Sequence, residues 1–260
     1  MLKRISIACV VLAMVGSTAL ADWDESMPHK MHYPQLPDPD GWDIDMTNYV
    51  LADDWKCSET GLVDDIHFWY SVEQQIDPTP PPHITAVQVS IHDDLPAGDP
   101  ANPADYSMPG NLLRQWTFDP GQFVTAGPWD GLQGWDDPQS SAAGVVCRPD
   151  DHRLYWQINI TKISDMVADP FRQQEGTIYW LDLHVDAEGP LVGWKTTRED
   201  LQFNDFAVYA TPNGPAPWAP IRVCTEDRLT DLAFVITPEP CTLLILGGGL
   251  AGAVLARRKR

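Results

Sequence analysis

The residues of this chain best suited to hold a ligand are paired aspartates. Asp53-Asp54 precede Trp55, Asp64-Asp65 open the next apolar run, and Asp205 opens a late one. Calcium takes six to eight oxygen ligands at about 2.3–2.6 Å, many of them Asp carboxylates. Asp53, Asp54, Asp65 and Asp205 are therefore the candidate ligands of a structural calcium ion, the one cofactor the sequence suggests. The competing reading is solvated turn aspartates at strand ends. Asp38 to Asp45 also has the look of a calcium loop, but Gly41 comes too early for an EF-hand and no Glu closes it.

A second chemistry is stacking. Trp129, Trp135 and Trp218 stand among Gly, Pro and Asp, away from the regular apolar patterns. An indole face suits the C–H groups of a sugar ring, so these three are candidate glycan-binding residues, set against tryptophans that plug the ends of a β-domain. Histidines offer less. His92 and Asp94, like His184 and Asp186, stand two apart and would share a strand face. Neither pair reaches the three or four ligands that zinc requires. No GxSxG elbow, HExxH helix, phosphate loop or dinucleotide fingerprint is present. The sequence reads as non-catalytic.

The elements that position these residues alternate with period two. Val87, Val89 and Ile91 share one face, with Gln88 and Ser90 opposite. Leu154, Trp156, Ile158 and Ile160 point one way and Tyr155, Gln157 and Asn159 the other. Such alternation of β-branched and aromatic residues marks half-buried antiparallel strands. Proline- and glycine-rich connectors separate them, and no amphipathic helix stands out. The expected fold is all-β: a jelly-roll-like antiparallel two-sheet sandwich of about nine to eleven short strands. The sandwich is expected over 46–237, after an irregular segment 22–45 broken by Pro28, Pro34, Pro37 and Pro39.

The two ends carry addresses. Lys3 and Arg4 precede an apolar core, and Ala19-Leu20-Ala21 forms a small-x-small cleavage site before Asp22. That is a signal peptide over 1–21, cut by signal peptidase after Ala21, with Ala19 and Ala21 as the two small residues of the site. At the other end, Pro238-Glu239-Pro240 is followed by an apolar run from Cys241 to Ala256 and the basic residues 257–260. Sixteen helical residues would span roughly 24 Å, short of a ~30 Å hydrocarbon core. Gly247 to Gly249 weaken any helix further. The basic end would stay cytoplasmic. The run thus reads as a transient inner-membrane tether.

This tail resembles the PEP-CTERM sorting signal of exported bacterial proteins. The resemblance implies an exosortase that acts near Pro238, Glu239 and Pro240, removes the tail, and leaves the protein at the outer surface or in the extracellular matrix. Cys241, directly after the triplet, departs from the small residue expected there. Further motifs include Met31 to Asp43, Leu51 to Cys57, Asp65 to Trp69, Thr177 to Leu181 and Gly193 to Thr196. They resemble an uncharacterised domain of such exported proteins, which implies a single extracytoplasmic β-rich unit.

Between the two tails, residues 22–238 carry 11 basic and 36 acidic groups, with Asp far outnumbering Glu across the chain. Such a surface repels nucleic acid and anionic headgroups, which excludes DNA and RNA as partners. Cations and neutral extracellular polysaccharide are the compatible ones. Cys57, Cys147 and Cys224 remain in this region. In an oxidising compartment the simplest count is one disulfide and one thiol, with three pairings open.

Overall fold

The computed structural model describes residues 23–74, 83–141, 147–212, 218–223 and 228–237. The strands are β1 (Trp42–Asp45), β2 (Val50–Lys56), β3 (Gly61–Leu62), β4 (Asp65–Val72), β5 (His83–Leu95), β6 (Met108–Phe118), β7 (Val124–Asp136), β8 (Cys147–Ile160), β9 (Arg172–Gln173), β10 (Ile178–Glu188), β11 (Val192–Lys195), β12 (Val208–Ala210), β13 (Ala219–Pro220), β14 (Arg222–Val223), β15 (Arg228–Leu229) and β16 (Phe234–Thr237). Two four-residue helical turns, α1 (Pro138–Ser141) and α2 (Ile163–Met166), interrupt them. The all-β class expected from the alternation is what forms.

The architecture differs from an open sandwich. One six-stranded sheet runs β11-β1-β7-β8-β4-β16, and β4 also pairs with β11. That extra pairing closes β11, β1, β7, β8 and β4 into a five-stranded barrel. One edge of β4 carries two partners: Asp65 to Phe68 pair with β16, and Tyr70 to Val72 pair with β11. Register shifts along the β7–β8 pair add the local bend that closing a small ring requires. The β1–β7 pair is parallel, an exception to the antiparallel expectation. Period-2 patterning marks the strands but carries no signal for closure, which rests on pairing between distant segments.

The second six-stranded sheet runs β13-β12-β2-β10-β5-β6 and is antiparallel throughout. Its inner face presents Leu51, Trp55, Leu181, Leu183, Val87 and Val89 to a core shared with Phe68, Ile158, Trp194 and Phe234 of the barrel sheet. Its outer face carries a small apolar group of Ala52, Trp180 and Val208, covered by Tyr106 and Trp218.

The segment 22–45 was expected to be irregular, but it ends in β1, a strand of the barrel. Gln35 and Pro37 also bridge to Phe234 and Thr197. Gly193 serves close packing: a Cβ there would lie 2.7 Å from the Trp135 ring. Of the three disulfide pairings open in the sequence, the two that use Cys57 are excluded, because Cys57 is a buried free thiol. Cys147 is disulfide-bonded.

Candidate functional site

The outer face of the second sheet holds an open groove of about 390 Å³. It follows from strand alternation. The residues that put Val87, Val89 and Ile91 into the core put Gln88, Ser90 and His92 on the other face, beside Asp182 and His184 of β10. Trp218 lines the groove, with its ring centroid 6.4 Å from that of His92 and nearly perpendicular to it. The Tyr106 hydroxyl donates to the Trp218 carbonyl at 2.6 Å, which ties the loop before β6 to this segment.

The polar side chains are held in place. His92 Nε2 lies 2.8 Å from Asp182 Oδ2, and both side chains are mostly buried. Burial pulls the His92 pKa down, but the hydrogen bond and charge of Asp182 outweigh it, so the pKa is raised. Gln115 donates to Ser90 Oγ and Gln88 to Asp186, each at 3.2 Å. The arrangement can offer planar amide, hydroxyl and imidazole groups beside an indole. Asp94, which the spacing puts on the same strand face as His92, accepts from Trp180 Nε1 at 2.9 Å. His184 and Asp186 do approach, at 3.5 Å.

The three candidate tryptophans separate. Trp218 lines the groove. Trp129 is 39% exposed and lines a different recess, at one end of the barrel. Trp135 is only 1% exposed, so it is not a glycan platform. Its position on β7 directs it beside Asp43 and Gly193 in the barrel interior.

The four candidate metal ligands also separate. Asp53, Asp54 and Asp205 interact electrostatically with Asp231, a residue the sequence reading did not single out. Asp65 lies elsewhere, accepting from the Lys162 backbone at 2.7 Å. Burial pushes its pKa up to about 6. Asp53 accepts from Gln35 at 2.8 Å and from the Leu232 backbone at 2.6 Å. Both carboxylate oxygens of Asp54 are buried without a hydrogen-bond partner. Burial, and then Asp231, raise Asp53 and Asp54 well above the usual carboxylate range, and burial pushes Asp231 up to about 8. Among the described residues no three His, Cys, Asp or Glu side chains are grouped so as to hold a metal ion.

Inside the barrel, Lys195 contacts Gln133 and lies 3.4 Å from Asp43, which accepts from His152 at 3.0 Å. All four are buried. Burial raises Asp43, but Lys195 and His152 outweigh it and hold the carboxyl below its usual range. The sequence signal for the groove was the polar face of β5, legible as Gln88, Ser90 and His92 at period two. No comparable local signal existed for the barrel network.

These features define an all-β domain with recesses lined by aromatic and polar side chains. The chain belongs to the family described as a domain of unknown function, DUF7901, which it matches over residues 31–237. Residues 237–260 match the PEP-CTERM protein-sorting motif, the mark of an exported protein sorted by an exosortase. Pro238, Glu239 and Pro240, like Ala19 and Ala21, lie outside the residues the structure describes. No curated protein and no solved structure matches the chain.

Proposed function

We propose that this is a non-catalytic envelope or extracellular-matrix protein whose second sheet holds a neutral glycan in its outer groove. The sorting motif supports the destination. The tail serves as a transient inner-membrane tether until an exosortase removes it, and signal peptidase removes residues 1–21.

One observation carries the glycan reading: Trp218 stands beside a row of hydrogen-bonding side chains in an open recess. Sugars are recognised by that combination, an aromatic face for the C–H groups and fixed polar groups for the hydroxyls. The strong negative charge of the domain favours neutral polymers over acidic ones.

The test is titration of the exported protein with neutral and acidic polysaccharides, read by tryptophan fluorescence. Saturable binding of a neutral polymer, weakened about tenfold in Trp218→Ala, supports the reading. A flat response across the panel removes the glycan and sends the search to protein partners.

A further inference from the structure

We propose that the recess at the end of the barrel is a binding site for a small organic cation of the quaternary-ammonium class. It shares no lining residue with the glycan groove. Its volume is about 290 Å³, suited to a small headgroup. Four aromatic rings line it. Trp23 and Trp69 meet edge to face at 6.3 Å, and Trp129 and Tyr155 lie 5.7 Å apart. Trp23 is anchored through its backbone: its main-chain N–H donates to Gln157 Oε1, and Gln157 Nε2 donates to its carbonyl, each at 3.1 Å. Gln157 of β8 therefore fixes this part of the wall.

Charge selects the ligand. Asp24 and Glu25 line the recess. Burial raises the Tyr155 pKa, and the nearby carboxylates of Asp40, Asp43 and Asp38 raise it further. The cation in the lining is Arg198, and its guanidinium is held by both oxygens of Asp200, at 2.7 and 3.1 Å. The Tyr155 ring already accepts one cation, Lys195, at 5.0 Å from its centroid. Aromatic faces grouped beside carboxylates attract a diffuse, weakly hydrated cation more than a neutral ligand of the same shape.

The experiment compares choline and tetramethylammonium with 3,3-dimethylbutan-1-ol, the neutral isostere of choline, on the exported protein by calorimetry. The ammonium ligands are expected to bind about tenfold more tightly than the alcohol. Binding should be lost in Trp129→Ala and weakened several-fold in the double variant Asp24→Asn, Glu25→Gln. The carboxylate variant keeps the test sound if Trp129→Ala unfolds. Trp218→Ala should leave ammonium binding unchanged, which separates this site from the glycan groove. Equal binding of alcohol and ammonium, undiminished binding in the carboxylate variant, or no saturable heat would overturn the proposal.

Discussion

Asp43 of β1 and Lys195 of β11 stand directly opposite one another in the strand register, and their side chains meet at 3.4 Å inside the barrel. Neither side chain is exposed to solvent. A buried pair of this kind stabilises little over an apolar pair of equal shape, but removing one partner strands the other charge. Lys195→Met should therefore destabilise the fold by about 3–5 kcal/mol. Asp43→Asn should act in the same direction, because burial would then oppose the Lys195 charge with less compensation. Denaturant melts of both variants check this, and wild-type stability in either would show that the pair is dispensable.

The carboxylates around Asp231 set a pH dependence. A carboxyl whose pKa is raised on folding contributes its stability fully below its unfolded pKa, and that contribution is lost as pH rises through the folded value. With Asp231 pushed up to about 8, stability should fall from about pH 4 towards pH 8. Asp54→Asn removes a buried carboxylate with no partner. It should flatten the profile and stabilise the protein at pH 8 by on the order of 1–3 kcal/mol. Thermal melts across that range decide the matter, and a wild-type profile rising with pH would contradict it.

Trp135 and Trp218 should respond oppositely to truncation. Trp135→Ala empties a fully buried position and should cost about 3–5 kcal/mol. Trp218→Ala should cost far less, because the side chain is half-buried over an outer face. Parallel unfolding curves give the comparison.

Cysteine chemistry should follow burial. Without reduction, alkylation of the mature protein should label Cys57 once the protein is unfolded, and slowly before, because Cys57 is buried. Cys147, already bonded, should stay unlabelled. Peptide mapping is expected to link it to Cys224, the remaining cysteine between the two tails. Labelling of Cys147 in the unreduced protein would refute this.

Replacing Pro238, Glu239 and Pro240 with Ala should leave the tail attached. Intact-mass measurement on protein from an exosortase-bearing host distinguishes the two forms. Identical masses for wild type and variant would disconnect the triplet from processing.

What the sequence determined by itself is local or terminal. The sorting tail is a linear signal, legible as a triplet, an apolar run and a basic end. The all-β class follows from period-2 alternation, because each strand segment carries its own two faces. The polar face of β5 was legible for the same reason. The tertiary structure decided what depends on segments far apart in the chain. The barrel closes because β4 pairs with β8 along one edge and with β11 along the other, which it shares with β16, and nothing in β4 alone announces these partners. Trp135 is buried while Trp129 is partly exposed, although both stand on β7 among similar neighbours. Asp43 and Lys195 are 152 residues apart, and they meet because β1 and β11 pair with these two residues in register.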